Sequence, residues 1–147
     1  MFYKMRKILL FVFTIAGLYS CTTQHFKLVY TSNSESIPYF QAVSANGLIY
    51  TSGQLGINPS TKLLGSNLES QTIQIMENLK ALLEQNHSDF NHLVKVHIYL
   101  TDVSQLPLVN KIYLSYLPEN KPARTTIQVT ALPQNALIEI DCVAAMK

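Results

Sequence analysis

Alternation of apolar and polar residues marks positions 92–101 as a strand. One set of alternate positions is aliphatic and comprises Val94, Val96, Ile98 and Leu100. The other set is polar or semi-polar and comprises Lys95, His97, Tyr99 and Thr101. Because successive side chains of a strand point to opposite faces of the sheet, this pattern predicts a strand with one dry face.

Two other segments repeat their apolar residues at helical spacing. The first follows a predicted capping box, Ser66 with Glu69, and runs to about Gln85. Asp102 is a suitable cap for the second, which Pro118 ends. The two apolar stripes are Ile75, Met76, Leu79, Leu82 and Leu83, and Leu106, Val109, Ile112, Tyr113 and Tyr116. Both segments are therefore predicted to be amphipathic helices.

The remaining segments are mainly extended. Strands are predicted at 26–31 and 41–52, and the Asn46-Gly47 pair inside the second segment predicts a hairpin turn. A loop is predicted at 53–65, and two further strands are predicted at 124–132 and 136–144. The predicted order is β-β-α-β-α-β-β, an α+β domain in which two helices cover one face of a mixed sheet.

The face of this sheet away from the helices suits contact with another protein surface. On the strand at 124–132, Arg124, Thr126 and Gln128 alternate with Thr125, Ile127 and Val129. We expect the helices to cover the aliphatic side and to leave Tyr99, Thr126 and Gln128 together on the polar side. An oligomer that packs this polar side is therefore predicted, with Arg124 and Glu139 near the contact.

Residues 1–20 have the organisation of an export signal. Three basic residues lie within the first seven positions, an apolar run follows at 8–18, and the Leu-Tyr-Ser-Cys sequence ending at Cys21 is similar to the lipidation motif of bacterial lipoproteins. The apolar run is too short for a stable helix across about 30 Å of hydrocarbon. We expect a lipidated Cys21 in the cell envelope, a tether at 21–27 and one domain at 28–147. An ordinary cleaved signal and an uncleaved hydrophobic N-terminus are the alternatives.

Charge argues against a nucleic-acid partner. Three of the eleven lysine and arginine residues precede Cys21, so eight remain against nine aspartate and glutamate residues, a net charge of −1. The chain beyond Cys21 also has no basic run that could neutralise a row of phosphates. Binding to nucleic acid is therefore not expected.

Histidine and cysteine give no sign of a metal site. His87, His92 and His97 are predicted to lie on a helix end, a loop and a strand, which is no metal-ligand spacing. Cys142 alternates in phase with Ile138 and Ile140, so a buried, inert thiol is predicted. We expect neither a metal nor a cofactor.

Arg124 is the only arginine beyond the first seven residues, and it opens a strand directly after Lys121-Pro122-Ala123. An arginine differs from a lysine by its planar fork, which binds a carboxylate through two parallel hydrogen bonds. Arg124 is thus a candidate to hold a small anionic ligand. An ordinary surface charge is the alternative, and position alone does not separate the two.

Seven blocks of the chain, in order, are similar to the Rid (YjgF) family of imine deaminases, over residues 30–146. They are Ile37–Ala42, Tyr50–Gln54, Gln71–Leu83, Tyr99–Asp102, Val109-Asn110, Lys121–Thr126 and Leu137–Ile140. The resemblance implies a chorismate-mutase-like homotrimer with clefts between subunits and no cofactor. It also implies hydrolysis of 2-aminoacrylate and related 2-imino acids to 2-oxo acids and ammonia.

The resemblance also implies roles for individual residues. Arg124 would bind the substrate carboxylate, and Glu139 would hold and polarise the attacking water. The pocket would be lined by Tyr39, Ser52 and Asn110, with the Thr126 backbone near the imine. The chain departs from the family at three positions, where it has Ile37, Thr126 and Ala131 in place of a glycine, a frequent cysteine and an arginine.

Two other functions compete with deamination. A non-catalytic trimer that binds small carboxylates would suit an envelope location, which is unusual for a family whose members are typically cytoplasmic. A ribonuclease is an older association of the family, and the net charge of −1 opposes it. A serine nucleophile is not expected at Ser52, which lacks the G-x-S-x-G context and an evident base.

Overall fold

A computed structural model of the chain describes residues 27–29, 38–119 and 121–147. The strands in these residues are β1 (Lys27–Val29), β2 (Ala42–Ala45), β3 (Leu48–Thr51), β4 (Gln54–Leu55), β5 (Leu93–Leu100), β6 (Ala123–Gln128) and β7 (Ile138–Ala145). The helices are α1 (Leu68–Gln85) and α2 (Leu106–Tyr116). The predicted signal at 1–20, Cys21 and the tether up to residue 26 lie outside the described residues, and they stay predictions.

The described strands form one mixed sheet. Its strand order is β1-β2-β3-β7-β5-β6, and β4 pairs with β7 beside this path. β5 and β6 are parallel, with α2 connecting them, and the other pairs are antiparallel. The predicted α+β class with a mixed sheet is confirmed. The prediction differs at β4, which lies in the segment predicted as loop.

The hydrophobic core lies between the two helices and one face of the sheet. Ile98 of β5 and Ile140 of β7 are fully buried there, together with Ile75 and Leu83 of α1. Burial of one such side chain contributes about 1.5–3 kcal/mol. Cys142 belongs to this cluster, as its alternation predicts. Burial raises the pKa of its thiol to about 12, so the thiol is not ionised at neutral pH.

The β2–β3 hairpin turns at Asn46 and Gly47, whose φ angles are 53° and 75°. Two consecutive residues with positive φ form the turn type that matches the twist of paired strands. The predicted hairpin is therefore confirmed. The Gly47 carbonyl also accepts a hydrogen bond of 2.8 Å from the Met146 amide, which ties the turn to the end of β7.

The predicted cap of α1 is wrong by one residue. Asn67 is the N-cap: its side chain accepts a 2.8 Å hydrogen bond from the Ser70 amide, and Ser70 Oγ accepts one of 3.2 Å from the Asn67 amide. Glu69 instead lies in the first turn, where a negative charge still favours the helix. Asp102 caps a short 3-10 turn that leads into α2. Neither described helix is long and apolar enough to cross a membrane.

The dry face predicted for β5 is shorter than its alternation suggests. Val96, Ile98 and Leu100 are buried, but Val94 is 48% exposed. The pairing of β5 with β7 shifts register between Leu93 and Lys95, so the alternation is interrupted there. The expectation that Val94 joins the dry face is therefore wrong.

The predicted grouping of Tyr99 with Thr126 and Gln128 is also wrong. β6 pairs in parallel with β5 so that Thr126 lies opposite Ile98, and Gln128 lies opposite Leu100. Paired residues share a face, so the Arg124 set of β6 lies on the helix side, where Ile98 is buried. Tyr99 lies opposite Ile127 on the other side, which we call the open face. The physical cause is that pairing with β5, rather than the polarity of β6 itself, determines its faces.

Candidate active site

The arginine pocket lies between β6 and α2 and is an open cavity of about 240 Å³. Its lining residues are Asn110, Tyr113, Leu114, Lys121, Pro122 and Arg124. Arg124 Nη1 donates a hydrogen bond of 2.8 Å to Asn110 Oδ1, and the guanidinium carbon lies 5.2 Å from the centroid of the Tyr113 ring. These contacts orient the plane of the fork while the other N–H groups stay available to a ligand.

Tyr113 supports Arg124 without taking part in proton transfer. It follows Asn110 by three residues on α2, so both side chains lie on the helix face that meets β6. Burial raises the pKa of its phenol to about 12, although the Arg124 charge opposes the effect. The phenol is therefore neutral over the ordinary pH range. The sequence indicated Tyr113 only as a core residue, and its spacing from Asn110 was the available signal for this second role.

Thr126 lies two residues beyond Arg124 on the same face of β6. Its hydroxyl is buried and has no hydrogen-bond partner in the structure. A buried hydroxyl without a partner is uncommon, and it is usually satisfied by a water or a bound molecule. Three of the predicted site residues, Arg124, Asn110 and Thr126, are therefore brought to one side of the sheet.

Glu139 lies on the open face at the start of β7. Its carboxylate lies against Gly53, so a Cβ added to Gly53 would overlap Glu139 Oε1. Burial raises the pKa of this carboxyl, and the neighbouring charge of Asp141 raises it further. Gly53 was not predicted as a site residue, and its place in Tyr50–Gln54 was the only sequence signal. In the described part of the chain, no three His, Cys, Asp or Glu side chains are placed to hold a metal ion.

Ser52 anchors the segment that carries Tyr39. Its hydroxyl donates a 2.6 Å hydrogen bond to the Phe40 carbonyl, and its amide donates one of 2.8 Å to the Gln41 carbonyl. Tyr39 itself is 56% exposed. Ser52 directly precedes Gly53, the residue that the Glu139 carboxylate contacts. The residue that anchors the Tyr39 segment is therefore next in sequence to the one beside Glu139.

One chain does not bring Arg124 and Glu139 together. Arg124 lies opposite Val96, which faces the helices, whereas Glu139 lies opposite Tyr99 on the open face. The sheet itself separates the two side chains, because residues of opposite parity on β5 point to opposite faces. A molecule as small as an amino acid cannot contact both groups of the same copy.

The mixed sheet with two helices on one face is a YjgF-like, chorismate-mutase-like α+β fold. The family model described as Endoribonuclease L-PSP matches residues 19–146. The chain belongs to this family, the Rid/YjgF/RutC family.

Several relatives document the membership. The chain is 44% identical over 110 residues to the chloroplastic Reactive Intermediate Deaminase A of Arabidopsis thaliana, over 74% of this chain and 59% of that protein. The match thus spans less than two thirds of the plant protein's length. A RutC family protein of Aquifex aeolicus is 45% identical over 109 residues, 73% of this chain and 87% of that protein. The crystal structure of RidA from an Antarctic Psychrobacter superposes with a TM-score of 0.77 at 34% identity, over 82% of this chain and 99% of that one.

Proposed function

We propose that this protein is a hydrolytic deaminase that converts 2-aminoacrylate and related 2-imino acids to 2-oxo acids and ammonia. The observation that carries the proposal is the Arg124 fork, oriented by Asn110 and Tyr113 with N–H groups free for a carboxylate. The Arabidopsis relative, named Reactive Intermediate Deaminase A, supports the same class of reaction. Burial, and after it the charge of Asp141, raises the pKa of Glu139, which makes its carboxylate a better proton acceptor.

The proposed site lies between two copies of the chain. Arg124, Asn110 and Thr126 come from the helix side of one copy, and Glu139 comes from the open face of a neighbour. The opposite placement of Arg124 and Glu139 supports this arrangement, because a site that uses both is incomplete in one copy. The proposed assembly is a homotrimer, in which each copy supplies one half of two different sites.

In the proposed reaction, Arg124 binds the carboxylate and so positions the electrophilic imine carbon. Glu139 accepts a proton from water as the water oxygen adds to the carbon of the protonated imine, which gives a neutral carbinolamine. Glu139 then gives this proton to the amine nitrogen. The C–N bond breaks and ammonia leaves, while Glu139 takes the proton of the hydroxyl, which becomes the 2-oxo group. The unpartnered Thr126 hydroxyl is a further polar contact for the bound molecule.

Two conservative variants test the roles of the residues. Glu139→Gln keeps the shape of the side chain but cannot accept a proton, so kcat should fall about 10²- to 10⁴-fold while 2-oxobutyrate still binds. Arg124→Lys keeps the charge but lacks the fork, so kcat/KM and 2-oxobutyrate affinity should fall about 10- to 100-fold. Lys111→Ala removes an exposed cation next to Asn110 and serves as the unchanged control. If the wild type bound 2-oxobutyrate but hydrolysed no imine, the deaminase proposal would be wrong and the protein would be a binding protein for small carboxylates.

A mixing experiment tests the two-copy site. Neither Arg124→Ala nor Glu139→Gln protein should be active alone. After the two are unfolded together and refolded, random assembly should restore roughly one quarter of the sites, since each intact site needs an intact half from each neighbour. Light scattering of residues 26–147 should give the mass of a trimer. No recovery of activity in the mixed trimers would place both residues of a site in one copy and contradict the arrangement.

A further inference from the structure

Four ionisable side chains form a cluster on the open face, outside the arginine pocket. β5 and β7 are antiparallel, and their register sets His97 opposite Asp141 and Tyr99 opposite Glu139. The two cross-strand pairs are adjacent, because residues two apart on a strand share a face. We call these four residues the open-face cluster. It contains the proposed base of the reaction and three groups to which no role has been given.

Asp141 connects the members of the open-face cluster. Its Oδ1 accepts a hydrogen bond of 2.7 Å from His97 Nδ1, since a carboxylate has no proton to donate. Burial, and after it the charge of Asp141, raises the pKa of the Tyr99 phenol, and the His97 and Tyr99 rings lie 6.4 Å apart between centroids. Burial is the larger cause of the raised pKa of Glu139, and the negative charge of Asp141 is the second cause. A change in the charge of the His97–Asp141 pair is therefore felt at Glu139.

Among the groups around His97, the hydrogen-bond partner of its ring is Asp141. Lys95 lies on the same face of β5, but its ammonium donates a hydrogen bond of 2.7 Å to Thr125 on β6. β6 otherwise presents Ile127, and β3 presents Tyr50 at the far side of β7. Among the described residues, the charged or titratable groups facing His97 are therefore Lys95, Tyr99, Glu139 and Asp141.

We propose that His97 is a positioning residue for Glu139. The hydrogen bond to Asp141 holds His97 in place. The charge of the His97–Asp141 pair then sets the fraction of Glu139 that is ionised and can accept a proton. The inference rests on the function proposed above. A protonated His97 offsets the charge of Asp141 and favours the ionised form of Glu139. A neutral or absent imidazole leaves Asp141 uncompensated and favours the protonated form, which cannot act as a base.

The inference predicts shifts of opposite sign for two substitutions in the same hydrogen bond. His97→Asn retains an amide that can donate to Asp141 but cannot become charged, so Glu139 should keep its proton to higher pH. Asp141→Asn removes the negative charge, so Glu139 should lose its proton at lower pH. We expect each shift to be about half to one pH unit, the size of the interaction between partly exposed charges one cross-strand neighbour apart. A purely structural role for the pair predicts no such opposition of sign.

The experiment measures the titration of the Glu139 carboxyl carbon by NMR and the acid limb of kcat/KM for 2-imino acid hydrolysis, in wild type and both variants. Ile127→Val, which changes an uncharged side chain of the same face and keeps the Lys95–Thr125 hydrogen bond, is the control and should leave both curves in place. His97→Gln and Asp141→Ser replace any variant that fails to assemble. Shifts of opposite sign in the carboxyl titration support the inference even where the wild type shows no hydrolysis, which would overturn only the proposed function. Unchanged curves, or two shifts of the same sign, would overturn the inference about His97.

Discussion

The two faces of the central sheet prepare their chemical groups in different ways. On the helix side, Arg124 is oriented by α2 of its own chain, through Asn110 and Tyr113. On the open face, Glu139 has no helix over it among the described residues, and its neighbours are ionisable side chains of adjacent strands. The arginine is therefore positioned by tertiary packing, whereas the glutamate is adjusted by local charge and, in the proposed trimer, by a second copy.

This difference indicates which kind of change each face tolerates. Packing defects on the helix side act on folding and on the arginine together, because Tyr113 belongs to both the core and the pocket. Charge changes on the open face should act on the proposed reaction with little effect on the core. Three further predictions, in decreasing order of expected effect, test this division.

The largest effect is expected from Ile98→Ala on the helix side of β5. Ile98 is fully buried, and shortening it leaves a cavity, so the free energy of unfolding should fall by about 2–5 kcal/mol. Val94→Ala on the same strand is the matched control and should cost no more than about 0.5 kcal/mol, because Val94 is 48% exposed. Urea denaturation of the two variants makes the comparison. Equal losses would mean that another surface buries Val94 and that the limits drawn for the core are wrong.

A smaller and more local effect is expected from Gly53→Ala. The added Cβ would overlap the Glu139 carboxylate and displace it, while the fold tolerates the methyl group. A displacement of about 1 Å at a reacting group can cost up to about 100-fold in rate, so kcat should fall roughly 10- to 100-fold.

The control for Gly53→Ala is its combination with Glu139→Gln. If the glycine acts only by making room for the carboxylate, the double variant should be no slower than Glu139→Gln alone, since the two changes remove the same function. Additive losses would show that Gly53 contributes by another route, such as its backbone amide. Steady-state kinetics of the three variants decides between these outcomes.

The smallest effect is expected at Asp89, far from both groups. The Asp89 carboxylate forms an ion pair with Lys147 and a hydrogen bond of 2.7 Å with His92 Nδ1. These two contacts, together with a hydrogen bond from the Asn91 backbone amide, hold the pKa of the Asp89 carboxyl well below its usual range. A carboxyl whose pKa is lower in the folded state than in the unfolded state stabilises the fold at every pH above the unfolded pKa, which is about 3.9. This stabilisation is lost as the pH falls from that value toward the folded-state pKa. Asp89→Asn should therefore lower stability at pH 7 by less than about 1 kcal/mol, because partly exposed pairs are screened. The difference should shrink below pH 4 in thermal melts, and activity should not change.

Local patterns predicted the elements of this fold well where local physics decides them. The Asn46-Gly47 turn follows from the ease with which these residues adopt positive φ, and the 18-residue helix α1 follows from its apolar spacing. Properties set by pairing were not predictable in this way. The register shift that exposes Val94 and the face on which Arg124 lies both depend on which strand is the neighbour, and alternation within one strand does not contain that information.

The candidate site shows the same limit. Arg124 was recognisable as a singular arginine beside a proline, and Asn110 as part of a block shared with a family. The placement of Arg124 and Glu139 on opposite faces was not, because both residues alternate correctly within their own strands. The His97–Asp141 hydrogen bond joins residues 44 positions apart, and only the register of β5 with β7 makes them neighbours.

β7 is the last strand of the chain, yet it pairs with β3, β4 and β5 and so joins the two halves of the sheet. A ribosome makes Ile138–Ala145 after every other element, so the hairpin and both helices emerge before the strand that unites them. The apolar faces of these earlier elements therefore stay uncovered until β7 is made and pairs with them. We therefore expect a chain that stops before Ile138 to lack a stable sheet and to be a substrate for chaperones and proteases.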